Sequence, residues 1–157
     1  MNFQNTNGKE QLFNIIIMKH FTLFALFLIT FSSSYAQTIR SKDSYGDKIA
    51  YVDGNTIRAK DSYGDKLFYK DGNTIRRKDS YGDKVYYIDG NTVRYTDSYG
   101  DKVYYFDGNT IRSKDSYGDK LYYLDGRTLR YKDAYGDKAY YFEGIPERWV
   151  IICLIGL

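Results

Sequence analysis

Two kinds of side chain recur in this sequence at spacings that chemistry could use. Aspartates flank a Ser-Tyr-Gly turn, Asp43 and Asp47 in the first instance, and the arrangement returns every 18 residues with Ala-Tyr-Gly in the last. Six carboxylate pairs could form oxygen sites for calcium or, taken singly, the acid and base of a glycosidase. Neither reading is favoured. Calcium-roll repeats use Gly-Gly-x-Gly-x-Asp, whereas here aspartate follows glycine directly, and six equivalent pairs do not make one asymmetric active site. The competing account has Asp43 accepting backbone N–H bonds in an Asx turn while Lys42 and Lys48 screen Asp47. The second kind is the tyrosine at each turn tip: Tyr45, Tyr63, Tyr81, Tyr99, Tyr117 and Tyr135. Exposed phenol rings there would offer a stacking surface to sugars or to a partner protein. The alternative is that each ring folds back over its own strand as ordinary aromatic packing.

Little else is available for chemistry. The 157 residues hold one histidine, His20, and one cysteine, Cys153, beside 19 tyrosines, 14 glycines and one proline. That inventory rules out a disulfide framework, a Cys/His zinc site and an internal His-based catalytic pair. No catalytic residue, metal site or cofactor is expected, and Cys153 reads as a buried structural thiol.

The elements that position these residues begin after a leader. Met18-Lys19-His20 opens an apolar stretch, Phe21 to Phe31, followed by Ser32-Ser33-Ser34-Tyr35-Ala36. A basic start, an apolar core and small residues at a cleavage position describe a secretory signal peptide, with processing expected after Ala36. The organisation is therefore 1–17 as a non-native upstream extension, 18–36 as signal peptide, 37–145 as a repeat domain and 146–157 as an apolar C-terminal segment. Loss of Lys9, Lys19 and Glu10 with the leader takes the 23 basic and 20 acidic residues to 21 and 19, a net charge of +2. Basic and acidic residues alternate within every copy, which leaves no patch for nucleic acid, and the mature chain carries no transmembrane span.

The repeat accounts for most of that chain. The phrase beginning Thr38-Ile39-Arg40 returns at Thr56, Thr74, Thr92, Thr110 and Thr128 without insertion. Each copy reads as two antiparallel strands of about six residues bounded by Asp-Gly and Ser-Tyr-Gly. A three-residue loop, Lys70-Asp71-Gly72, would pair Leu67 with Ile75. A Ser62-Tyr63-Gly64 loop would set Ala59 against Leu67 and Ile57 against Tyr69. Both place the series of Ile39, Ile49 and Tyr51 on one core face. Phe68, Tyr86, Tyr104, Tyr122 and Tyr140 would then lie outside, opposite Arg58, Arg76, Arg94, Arg112 and Arg130, as Arg–aromatic pairs. The strands Thr38–Lys42 and Lys138–Phe142 lack sequential partners, and pairing them would close the array and abolish both sheet edges. Pro146 ends the ladder. The apolar run from Trp149 to Leu157 would aggregate in water, so a terminal strand or short helix packed at the hub is expected.

Asp-Gly-Asn-Thr-Ile-Arg at 53–58, 71–76 and 107–112, with Asp-Ser-Tyr-Gly at 43–46, 61–64, 79–82, 97–100 and 115–118, resembles the five-fold β-flower family of secreted Bacteroidetes repeat proteins. The Trp-containing apolar tail of 144–157 is similar too. Where that family carries Arg-Thr-Ile-Gly, this chain has Asp-Lys-apolar-aromatic-Tyr, which leaves the rotational order open between five and six. A weaker likeness, through Lys-Val-Tyr-Tyr-Phe-Asp-Gly at 102–108, is to glucan- and choline-binding cell-wall repeats. The fold expected is an all-β closed ring of five to six antiparallel hairpins with its apolar tail at the hub. The function expected is a non-enzymatic structural or binding module, exported to the periplasm, outer-membrane surface or medium, with a glycan or envelope protein as partner. A carbohydrate-binding module using the six tip tyrosines is the alternative.

Overall fold

The structure, a computed structural model, describes residues 36–157; the proposed extension and leader, apart from Ala36, lie outside the described residues. Twelve strands follow in chain order: β1 (Gln37–Ser41), β2 (Lys48–Asp53), β3 (Thr56–Ala59), β4 (Lys66–Asp71), β5 (Thr74–Arg77), β6 (Lys84–Asp89), β7 (Thr92–Tyr95), β8 (Lys102–Asp107), β9 (Thr110–Ser113), β10 (Lys120–Asp125), β11 (Thr128–Tyr131) and β12 (Lys138–Phe142). Among the described residues one helix, α1 (Arg148–Ile155), follows the strands. Each strand pairs antiparallel with its neighbours in sequence, and β1 pairs with β12, Ile39 opposite Phe142 and Ser41 opposite Tyr140, so the sheet is a closed barrel of six hairpin repeats. Closure leaves no row of unpaired backbone groups to recruit another chain.

The register differs from the sequence expectation by an odd number of residues at both turns. At the Asp-Gly end the loop has two residues, Gly72-Asn73, with Asp71 opposite Thr74 and Tyr69 opposite Arg76. Gly72 occupies φ +58° while Asn73 stays at negative φ, the pattern of a hairpin turn with glycine at its first central position. At the other end Ile57 faces Phe68, and a bulge between Ile57 and Arg58 then brings Arg58 opposite Lys66. Both shifts flip the longer strand of each repeat, while the Ile39 series stays inside. Phe68, Tyr86, Tyr104, Tyr122 and Tyr140 therefore point inward, not to solvent as expected, and Phe68 is fully buried. The Tyr51 series lies on the outer, half-buried face, while the Ile49 series takes the bulge position, where Ile49, Leu67, Val85 and Val103 still pack against the core and Ala139 is buried. The arginines meet the Tyr51 series instead: Arg58 is opposite Tyr51 and Arg76 opposite Tyr69.

On this outer face several arginines also tie the two ends of the sheet together, whereas Arg58 reaches only the Gly64 carbonyl. Arg76 donates from Nε to Asp71 at 3.1 Å and from Nη1 to the Gly82 carbonyl at 3.1 Å. Arg112 and Arg130 repeat both bonds.

The barrel interior is filled by α1. Twelve strands about 4.8 Å apart enclose a radius of about 9 Å before tilting, and helices pack against neighbours at about 8–10 Å. A helix apolar on every side must be buried on every side; Trp149 to Leu154 are, in one core cluster with Ile39, Ile57, Phe68 and Phe142. The hub expectation holds, with helix rather than strand as the conformation. The start of α1 sits at the Asp-Gly end, where Arg148 donates to Asn91 Oδ1 at 2.8 Å and lies over the Phe106 ring. Lys70, the inward lysine of β4, escapes burial of its charge by reaching Glu147 at 3.0 Å across the Trp149 face.

Candidate functional site: the tyrosine-rich end of the barrel

The six Ser-Tyr-Gly-type turns crowd the end of the barrel opposite the start of α1, and each is built from local bonds. Asp61 Oδ1 accepts the Tyr63 N–H at 2.9 Å, its carbonyl accepts the Gly64 N–H at 3.1 Å, and Arg58 Nη1 clamps the Gly64 carbonyl at 3.2 Å. The side-chain bond recurs at Asp43, Asp79, Asp97, Asp115 and Asp133. The first aspartate of each pair is thus engaged in the Asx turn weighed against metal binding, and among the described residues no group of three or more His, Cys, Asp or Glu side chains converges. Glycine is required because a β-carbon at Gly64 would collide with the Ala59 carbonyl oxygen, as would one at Gly82 with that of Arg77.

This scaffold holds Tyr45, Tyr63, Tyr81, Tyr99, Tyr117 and Tyr135 in water, each 96–98% exposed. The rings do not fold back over their strands.

Within the crown lies a second group of phenols that sequence reasoning placed on the wrong face. Tyr86, Tyr104, Tyr122 and Tyr140 point into the lumen, directly opposite Tyr95, Ser113, Tyr131 and Ser41 on the neighbouring strands. Tyr86 stacks on Tyr95 with centroids 6.0 Å apart, and Tyr122 meets Tyr131 at 5.4 Å. Tyr86 and Tyr104 stand side by side, ring centroids 6.2 Å apart. Burial, reinforced by neighbouring phenols, pushes the ionisation of all four inner tyrosines up, most strongly at Tyr104. The first two repeats break the symmetry by putting Ala50, Ala59 and Phe68 at this level, with Arg77 over the Phe68 ring at 5.1 Å. Tyr95 and Tyr131 remain about half exposed. The signal that could have located these residues is parity, which one wrong loop length inverts.

Cys153 is buried within α1, and burial pushes its thiol far up from the ordinary value, so it presents no nucleophile.

A closed barrel of six repeated hairpins, its turn tips on one side and its hub plugged by a helix, defines a six-fold β-hairpin ring. Residues 28–145 match the family described as 6-fold beta flower protein, and the chain belongs to that family. The rotational order is six, which resolves the choice between five and six left by the sequence. No characterised protein and no solved structure matched the chain.

Proposed function

We propose that the chain is an exported, non-enzymatic binding module that works through the tyrosine-rich end of its barrel. The observation that carries this reading is the exposure of all six tip tyrosines, each on a turn fixed by an Asx bond and an arginine clamp. An exposed aromatic adds nothing to folding, yet a rigid tip lowers the entropy lost when it stacks on a ligand. Six equal tips favour repetitive ligands by avidity, since each further contact after the first is intramolecular. A glycan or an envelope protein has that character, and the leader at 18–36 would carry the protein to the periplasm, outer-membrane surface or medium. The six copies are equivalent and free of histidine, a composition suited to display rather than to catalysis.

A carbohydrate ligand is favoured by the second tier of phenols, because sugars are recognised by ring stacking together with hydroxyl hydrogen bonds. Tyr95 and Tyr131 at the rim supply faces, and the inner phenols supply donors and acceptors. The test is a glycan array probed with the full chain after export, beside a variant carrying Tyr63→Ala, Tyr81→Ala and Tyr99→Ala. Binding that drops at least tenfold in the variant with its melting temperature unchanged supports the proposal. Equal binding by both, or none by either alongside no capture of envelope components, removes it.

A further inference from the structure

The Asp-Gly turns that join the repeats have closely similar backbones. Asp53, Asp71, Asp89, Asp107 and Asp125 each stand opposite the threonine three residues on, and each following glycine keeps φ between +55° and +59°. The aspartate side chains differ. Asp71, Asp107 and Asp125 are held by the Nε of the arginine five residues on at 3.0–3.2 Å, and Asp89 stands 3.6 Å from Arg94. Asp53 has no such partner among the described residues: the Nε of Arg58 is buried without a bond, and its guanidinium reaches the Gly64 carbonyl instead. Asp53 and Gly54 are both exposed.

Aspartate before glycine has an intrinsic reaction open to it, because no side chain on the second residue shields its backbone nitrogen. That nitrogen attacks Cγ of the carboxyl; a C–N bond forms, the bond from Cγ to its hydroxyl oxygen breaks, and the hydroxyl leaves as water with the proton of the nitrogen. Water then opens the five-membered succinimide at either carbonyl, returning aspartate or leaving isoaspartate, whose backbone runs through the side chain and is longer by one methylene. No oxidation state changes. Attack requires Cγ to swing onto the glycine nitrogen, so a carboxylate bonded to arginine must first let go. Among the described residues none of these glycine N–H groups donates to a backbone carbonyl, which leaves the arginine contact as the difference between the turns. We infer that Asp53 is the turn residue at which this protein converts to isoaspartate, and that the arginines of the other four turns guard theirs. Susceptibility follows the contact: Asp53 first, then Asp89, then Asp71, Asp107 and Asp125. The two-residue turn sets strand register, so a lengthened backbone at 53–54 loosens the pairing of β2 with β3.

The test is incubation of the full chain for weeks at neutral pH, followed by trypsin and mass spectrometry. The five turns fall in peptides of different sequence, and isoaspartate is scored in each by electron-transfer fragmentation and by labelling with an isoaspartyl methyltransferase. Conversion at Asp53 is expected to run about two- to fivefold faster than at Asp71, Asp107 and Asp125, the factor that an exposed ion pair is worth, with Asp89 between. Equal rates at all five turns, or a different turn fastest, overturn the inference. Arg76→Ala is expected to bring Asp71 up to the rate of Asp53, and Arg58→Ala to leave Asp53 unchanged, with melting still cooperative in both. Asp71 still slow without its arginine, or Asp53 accelerated by the loss of Arg58, overturns the guarding role. Should Arg76→Ala fail to fold, the ranking in the unaltered protein decides.

Discussion

Arg40 and Glu143 stand 103 residues apart in sequence and meet at 3.1 Å across the seam of the ring. Their bond is the fifth member of a series whose four others, Arg76–Asp71, Arg94–Asp89, Arg112–Asp107 and Arg130–Asp125, are local. Where the repeat would put a sixth Asp-Gly turn the chain has Glu143-Gly144, and Glu143 reaches across the β1–β12 junction to the arginine of the first copy. The covalent series ends while the electrostatic one continues across the seam.

Partial burial would raise the Glu143 carboxyl, but hydrogen bonds from Thr38 and Arg40 and the guanidinium charge hold it below its ordinary 4.5. A carboxyl lowered in the folded state adds stability above its unfolded value, and that contribution disappears as pH falls through the folded value. Ring stability should therefore decline below about pH 4.5. Glu143→Gln should flatten part of that decline while costing about 0.5–1 kcal/mol at neutral pH, modest because the pair is solvent-facing. Chemical denaturation of both proteins from pH 3 to 7 measures the difference; parallel curves would show that the seam pair contributes nothing.

The two glycines of each repeat are required for different reasons and should respond differently to alanine. At Gly72 a β-carbon meets nothing within 4 Å, and only φ +58° opposes it; about 1–2 kcal/mol is expected for Gly72→Ala. At Gly64 the obstacle is the Ala59 carbonyl itself, so Gly64→Ala must distort the turn and cost more. The reverse logic applies at Thr96. Lysine or threonine occupies φ near +60° at Lys42, Lys60, Lys78, Thr96, Lys114 and Lys132, closing a tight turn such as that from Asp97 N–H to the Tyr95 carbonyl. Threonine is β-branched and the least suited to it, so Thr96→Gly should raise the melting temperature. Calorimetry on the three variants orders them.

Much of this architecture was legible in the chain. Recurrence of the Thr-apolar-Arg phrase every 18 residues left Thr38–Lys42 and Lys138–Phe142 without sequential partners, so closure followed from the cost of sheet edges. The face of the longer strands was not legible. Lys102-Val-Tyr-Tyr-Phe-Asp107 is apolar at both parities, so hydrophobic alternation carries no information there, and assignment falls to loop length. A bulge that absorbs one residue at Leu67 leaves no compositional mark. The inner phenols, being a consequence of parity, were lost with it. Two opposing readings of the same residues leave the exposure of the tip tyrosines open.

The plug should be indispensable. Ile151 and Ile152 are almost wholly buried among barrel residues, and Ile152→Ala should cost about 2–5 kcal/mol, a large share of a small domain's stability. Truncation after Ile145 should leave a chain that aggregates. In the full protein Trp149, 2% exposed, should emit at short wavelength and resist soluble quenchers. Gly156→Leu probes the far end of α1, since a β-carbon there collides with the Tyr86 hydroxyl; it should destabilise the ring although it adds apolar surface. A soluble, cooperatively folded 37–145 fragment would contradict the plug's role.

Alkaline conditions should act through the inner tier of tyrosines. Burial raises the ionisation of Tyr86, Tyr104, Tyr122 and Tyr140 above the ordinary 10.0. An acid whose folded value is raised is held neutral by the fold; its contribution is complete below the unfolded value and is lost as pH climbs towards the folded one. Stability should thus fall steadily above about pH 10. Tyr104→Phe removes the most strongly shifted group and should make the alkaline decline shallower. Tyr63→Ala at the tip, where the ring is 97% exposed, should change stability at pH 7 by less than about 0.5 kcal/mol. Denaturation of both variants from pH 7 to 11 measures the difference; if Tyr104→Phe declines as steeply as the parent, the inner tier is not shielded, and the lumen end of the barrel is open to water.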